Sequence, residues 1–212
     1  MKKAGIFYTN NAIPKEIISR SLESIKVAAD KNDVKVISSS WDPLIGFDNY
    51  IADHKNKGHF TLYSQILKLL FVLKDEDYDV VSFLEHDTLY GEDYFAYDSF
   101  DCNVLANSNY VGLHKQGYQN RPEVNPLHQL TMKLDFAIDY FSIELIRTLH
   151  KDVINVEPRE EYCLWNSNQK SIHINWGGNF TSHFQTFGDV YSNYDPYWGD
   201  SINIIDQSFF IK

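Results

Sequence analysis

Between Val80 and Tyr90 the chain reads VVSFLEHDTLY, an apolar run that drives straight into Glu85-His86-Asp87. In an extended segment residues i and i+2 point to the same side, so the two carboxylates converge at the end of a strand. Two acids held close repel, and a hard divalent cation such as Mg²⁺ or Mn²⁺ relieves the repulsion. Such an ion would bind the diphosphate of a nucleotide and act as a Lewis acid on the charge of a departing phosphate. The plain alternative is a strand that ends in water with its acids solvated. Spacing alone does not separate the two. A chain of 212 residues with 29 acidic ones holds about four acid-x-acid tripeptides by chance. Asp75-Glu76-Asp77 and Asp77-Tyr78-Asp79 are two of them, both inside the charge run Lys74–Asp79, which reads as a solvated helix end or loop. Context says more: Val80–Leu84 is apolar but for Ser82, as a central strand of a parallel sheet is. Open α/β sheets place ligands at the carboxyl ends of such strands.

The elements around this stretch support that placement. Ala4–Tyr8 reads as a buried first strand. Pro14 suits a first helical turn, and Ile18, Leu22, Ile25 and Ala29 follow at helical spacing. Val34–Ser38 reads as a second strand, so strand, helix and strand make one βαβ unit and a parallel pair. Ser39–Gly58 looks irregular. Leu62, Ile66, Leu69 and Leu73 mark a second helix, and Val80–Leu84 is the third strand. Beyond Tyr90, Val104–Ala106 and Tyr110–Leu113 read as short strands and His114–His128 as a long loop. Leu134–Tyr140 alternates and reads as a strand, with Ser142 capping a helix to Leu149; a continuous helix from Leu130 to Leu149 also fits the spacing. Ser171–Ile174 is a short strand and Gly177-Gly178 a turn. The expected fold class is therefore α/β, a mostly parallel sheet flanked by helices in a single domain over residues 1–212.

Composition narrows the function. With 19 basic against 29 acidic residues, the net charge is −10, which disfavours nucleic acid as a partner because that binding rests on phosphate neutralisation. No run has the length of a membrane helix, and the amino terminus lacks a signal-peptide core, so the expected location is cytoplasmic. The two cysteines, Cys102 and Cys163, stand at unrelated spacing and are expected as buried thiols.

The stretch Tyr63–Tyr90, YSQILKLLFVLKDEDYDVVSFLEHDTLY, resembles a group of small bacterial and phage glycosyltransferase-like proteins of the GT-A fold. In that group a helix containing Q-I-L leads into a strand ending E-H-D-x-L-Y. Val156–Pro158 and Ser171–Thr181 (SIHINWGGNFT) resemble its later segment. The resemblance rests on these anchors, about a third of the chain. It implies sugar transfer from a nucleotide-sugar donor assisted by Mn²⁺ or Mg²⁺, with Asp87 on the metal and Glu85 in support. It also implies a histidine ligand from the later segment. The group's arginine-histidine pair is replaced here by Asn175-Trp176, which leaves His173 and His183 on either side as candidates, with His183 preferred because it follows the turn and is freer to reach inward. Residues 1–90 would then form the nucleotide-sugar half and residues 91–212 the acceptor half.

On the donor side, Tyr8, Thr9, Asn10 and Asn11 close the first strand, where the resembling fold contacts base and ribose; the plain alternative is an ordinary capped turn. Gln65 and His59 stand at the start of the second helix, and Glu85 and His86 complete the expected donor set. An inverting transfer needs a general base near the acceptor hydroxyl. Asp135, Asp139, Glu160 and Glu161 are candidates, with Asp135 and Glu160 preferred, and Trp176 would stack on a sugar or fill the core. Three rival readings remain. A nucleotidyltransferase would release pyrophosphate, but Tyr8–Ile13 lacks the glycine and basic residues of its usual loop. A sugar-binding protein without activity would fit the missing histidine. A phage enzyme that glycosylates modified DNA bases is a narrower form of the first reading. The acceptor itself is not readable.

Overall fold

Runs of β-branched residues alternate with runs of helical period through the first ninety residues, and the chain folds accordingly. In the computed structural model, residues 1–114, 116–119, 126–150, 162–174 and 190–204 are described. Strand β1 (Lys3–Thr9) is buried from Ala4 onward. Helix α1 (Lys15–Asn32) starts after Pro14 and turns Ile17, Ile18, Ser21, Ile25, Ala28 and Ala29 inward; it ends at Asp33, which is left-handed at φ 51 and returns its N–H to the carbonyl of Ala29. Strand β2 (Lys35–Ser40) lies parallel to β1, as the βαβ reading expects.

The segment expected to be irregular holds an edge strand, β3 (Asp48–Ile51), parallel to β2. Its half-exposed DNYI has no apolar run to announce it; pairing with β2 organises it. Helix α2 (His59–Asp75) buries Tyr63, Ile66, Leu67, Leu69, Leu70 and Leu73. The charge run then turns at Asp77 (φ 55) into β4 (Val80–Glu85), which is parallel to β1.

Strands β5 (Thr88–Leu89), β6 (Val104–Asn107), β7 (Tyr110–His114) and β8 (Gly117–Gln119) follow. A short 3-10 turn at Leu127–Gln129 leads into β9 (Leu130–Lys133) and then helix α3 (Leu134–Leu149). The strand expected over Leu134–Tyr140 is thus corrected to helix. Leu134, Ala137, Phe141 and Glu144 are its buried residues, at a spacing of three or four, while Phe136, Ile138 and Tyr140 are only partly buried. The alternation was real, but the buried stripe is helical and packs on α2. Strands β10 (Tyr162–Trp165), β11 (Ser171–Ile174), β12 (Val190–Ser192), β13 (Tyr194–Asp195) and β14 (Gly199–Asp200) complete the described chain. The expected turn at Gly177-Gly178 lies outside the described residues.

Among the described residues, the main sheet has seven strands in the order β10-β6-β9-β4-β1-β2-β3. β9 is antiparallel to both its neighbours, and the other pairs are parallel. A second sheet, β12-β8-β7-β11-β5, has five strands. Successive residues of β1 feed opposite faces: Phe7 joins the cluster under α1, while Ala4, Ile6 and Tyr8 join the one under α2 and α3. Each such fully buried Ile or Phe contributes about 1.5–3 kcal/mol. Gly5 keeps the sheet's centre closed, since a Cβ there would stand 2.9 Å from Leu84 Cδ1.

Cys102 and Cys163 are not free thiols. They form a disulfide, with Cα atoms 6.1 Å apart, because the parallel pairing of β10 with β6 brings together residues 61 apart in sequence. Spacing in sequence could not reveal a contact made by strand pairing. Disulfides persist in oxidising compartments and are rare in a reducing cytosol, so this pair is at odds with the cytoplasmic expectation. Among the described residues, no helix is long and apolar enough to cross a membrane.

Candidate active site

Three strand ends and one turn assemble the site. β4 delivers Glu85 at its carboxyl end. β9 runs antiparallel to it with Thr131 opposite Ser82, which lays the turn before β9, and His128 with it, alongside Glu85. β11 is antiparallel to β5 with His173 opposite Thr88, and the N–H of Ile174 donates to the carbonyl of Asp87 at 2.7 Å. His173 is thereby clamped against Asp87.

Four side chains meet there. Oε2 of Glu85 lies 3.1 Å from Nδ1 of His128, and its Oε1 accepts from the Tyr8 hydroxyl at 3.3 Å. Oδ1 of Asp87 lies 3.7 Å from Nδ1 of His173. The two imidazoles face each other with centroids 4.9 Å apart and planes at 22°. Asp87, His128 and His173 are 7%, 2% and 8% exposed, so this is not a strand end dissolving into water. Burial pushes the Glu85 carboxyl up. The hydrogen bond and charge of His128, the charge of His86 and the Tyr8 hydroxyl outweigh it and hold the group below its usual range. The backbone behind the site is fixed as well: the N–H of Glu85 donates to the Tyr90 hydroxyl at 2.9 Å, and the Tyr94 hydroxyl donates to the carbonyl of His128 at 2.9 Å.

The donor set falls at the neighbouring strand end. Thr9 Oγ1 shares a hydrogen bond with Nδ1 of His86 at 2.8 Å and accepts from the N–H of Asn11 at 3.0 Å. Asn10 Oδ1 accepts from the N–H of Ala12, and Asn11 Oδ1 from that of Asp42. Gln65 is buried, with Nε2 donating to the carbonyls of Thr9 and Ser39, each at 3.1 Å; it braces the loop from behind. His59 is exposed and stacks on Tyr63.

The structure therefore gathers Tyr8, Thr9, Glu85, His86, Asp87 and His173 at the carboxyl ends of β1 and β4. It does not bring Asp135 there. Asp135 lies in the first turn of α3, just past Lys133, which pairs with Val80 at the far end of β4, and it is ion-paired to Lys74. Asp139 is exposed on the same helix. Glu160, Glu161, Trp176 and His183 lie outside the described residues.

Sequence reasoning missed His128. It ends the stretch expected as a loop, and only the pairing of Leu130–Lys133 with Val80–Ser82 sets it beside Glu85. Recognising a short strand after Pro126 was the signal that would have found it.

The residues fit a divalent ion. Glu85, His128 and His173 each offer a ligand atom, and these atoms lie within 4.8 Å of one another. Nε2 of His128 is buried and has no hydrogen-bond partner among the described residues. A donor set of carboxylates and imidazoles suits first-row transition ions better than an all-oxygen shell would.

The architecture is of the GT-A-like class: a mixed α/β domain with a mostly parallel sheet flanked by helices, matching glycosyltransferase structures. Its particular likeness is to Staphylococcus aureus TarS, residues 1–349, in complex with UDP-GlcNAc, with a TM-score of 0.52 at 11% identity over 84% of this chain. This chain spans 60% of that structure. A glycosyltransferase involved in glycosylation of the major capsid of PBCV-1 aligns at 11% identity over 78% of this chain and 82% of its own, with a TM-score of 0.41. At these identities the likeness is one of fold. Compared in sequence, the chain matches no protein family and no curated protein.

Proposed function

We propose that the protein is a metal-assisted glycosyltransferase that takes a sugar from a nucleotide-sugar donor. The observation that carries this reading is the meeting of a buried Asp87 and a partly buried Glu85 with two buried histidines at the carboxyl end of the central strand. TarS, with the same fold, is seen with UDP-GlcNAc, which supports a donor of that kind.

Asp87 holds an Mn²⁺ or Mg²⁺ ion, with His173 as a second ligand and His183 as the alternative from the same segment. Bound there, the ion supplies Lewis-acid stabilisation to the diphosphate that gains charge as the glycosyl bond breaks. Tyr8, Thr9, Asn10 and Asn11 line the donor side, with Gln65 holding the loop and His86 tied to Thr9. Residues 1–90 thus form the donor half and residues 91–212 the acceptor side, with Glu160 as the candidate base for the acceptor hydroxyl. The bond from the anomeric carbon to the phosphate oxygen breaks, a bond to the acceptor oxygen forms, and the hydroxyl proton passes to the base.

The test is donor turnover, with and without acceptor sugars, across a panel of UDP-, GDP- and dTDP-sugars in Mn²⁺ and in EDTA. One donor is expected to turn over. Asp87→Asn should lower the rate by about 10²–10³-fold, the scale of losing one group that stabilises developing charge. No binding or turnover of any donor, or full activity in Asp87→Asn, would sink the reading.

A further inference from the structure

Glu85 stands first in the acidic motif, yet both of its carboxylate oxygens are already occupied. Oε1 accepts from the Tyr8 hydroxyl and Oε2 faces Nδ1 of His128 at 3.1 Å. A carboxylate only accepts, so Nδ1 of His128 carries the proton and donates it. In the neutral ring this leaves the lone pair on Nε2. That atom is buried and, among the described residues, has no hydrogen-bond partner. A buried polar atom left open costs about 1–3 kcal/mol, and this ring is in no position to swing away. Its backbone carbonyl is held by Tyr94, and its faces and edges meet His173 and Tyr110, the latter at 6.0 Å and 90°. An imidazole that gives one N–H to a carboxylate and presents its other nitrogen bare is the arrangement of a metal ligand with its supporting acid.

We propose that His128 binds a divalent first-row transition ion through Nε2, beside Asp87 and His173, and that Glu85 is a positioning residue for His128 rather than a ligand. This deepens the glycosyltransferase reading, since it concerns the ion of that same site, but it is testable without any donor. It also makes a choice that the acidic motif leaves open. Two imidazoles with one carboxylate favour Mn²⁺ and Co²⁺ over Mg²⁺, which prefers oxygen ligands and keeps its waters.

The experiment titrates EDTA-stripped, donor-free protein with Mg²⁺, Mn²⁺ and Co²⁺ by calorimetry and follows the visible spectrum of Co²⁺. Wild type is expected to bind Mn²⁺ and Co²⁺ at least about tenfold more tightly than Mg²⁺. Glu85→Gln should weaken Co²⁺ binding by about 10–100-fold, the usual loss for a supporting partner, while leaving the shape of the spectrum unchanged. His128→Gln should weaken it at least as much and alter the spectrum, because a nitrogen ligand is gone. Proton NMR of Co²⁺-loaded wild type needs no variant and guards against a misfolded one. It should show a hyperfine-shifted, slowly exchanging N–H from the buried Nδ1 of His128. Absence of that resonance, equal affinity for Mg²⁺ and Mn²⁺, or an unchanged spectrum in folded His128→Gln would each overturn the assignment. Metal binding without donor turnover would leave it standing and count against the transferase reading alone. Turnover in EDTA by protein that binds none of the three ions would do the reverse.

Discussion

Two regions lie side by side at the carboxyl edge of the main sheet, and they handle their polar groups differently. At the ends of β1 and β2 the protein satisfies most of its own polar groups, though Nε1 of Trp41, which follows β2, has no partner among the described residues. Gln65 serves the carbonyls of Thr9 and Ser39, Asn11 accepts from Asp42, and Ser38 and Ser40 both donate to Asn49 Oδ1. At the end of β4 acids and imidazoles face one another, and one buried nitrogen, Nε2 of His128, has no protein partner among the described residues. A buried polar group without a partner is costly, so the second arrangement persists where a ligand repays it. The first region is a brace. The second is the candidate site, and the hydrogen bond shared by Thr9 and His86 ties one to the other.

If that division is right, breaking the brace should cost stability more than chemistry. Gln65→Leu keeps the volume and removes the amide, leaving two buried carbonyls without this donor. The expected loss is about 2–3 kcal/mol, read as a lower urea midpoint with an unchanged slope. Turnover per folded molecule should fall far less than in Asp87→Asn. A Gln65→Leu protein as stable as wild type would erase the contrast.

A smaller effect, with a pH signature, belongs to the second region. The Glu85 carboxyl is held below its usual range against the pull of burial, so its ionisation contributes stability above the unfolded value near 4.5 and loses that contribution as pH falls through the lower folded value. In EDTA the stability gap between wild type and Glu85→Gln should therefore be full above pH 4.5 and shrink below it, measured by urea unfolding at a series of pH values. A gap that widens toward acid would mean the carboxyl is not held ionised by His86 and His128.

The difference between the regions also decides what the sequence could tell. The acidic strand end was legible because local pattern places it: β1, α1, β2, α2 and β4 each carry a run or stripe that burial requires, and a strand's period puts Glu85 and Asp87 on one side. The brace was not, since Gln65 was expected on the donor and Asp42 and Asn49 fall in the stretch expected to be irregular. The open half of the cluster was not, because it is made by pairings distant in sequence. His128 reaches Glu85 through the antiparallel β9, four residues long and masked by the helix it runs into. The cystine between Cys102 and Cys163 was hidden for the same reason. His173 was reachable only through the resemblance of its segment, and β11 confirms that it lies next to Asp87.

The smallest expected effect is the sharpest test of which end of the sheet matters. Asp135 attracts attention as an acid between two apolar stretches, and an inverting transfer does need a base. Yet β9 runs opposite to β4, so Lys133 sits at Val80 and Asp135 lies beyond the strand's amino end. From there to Glu85 the strand alone spans about 16 Å, at about 3.3 Å per residue. Its carboxylate is exposed and pairs with Lys74 across the α2–α3 surface, where an ion pair adds little to stability. Asp135→Asn should leave turnover within about twofold of wild type and the melting curve nearly unmoved. A rate loss approaching that of Asp87→Asn would require the acceptor to reach around the sheet to its far edge, and the assignment of chemistry to the carboxyl end of β4 would have to be given up.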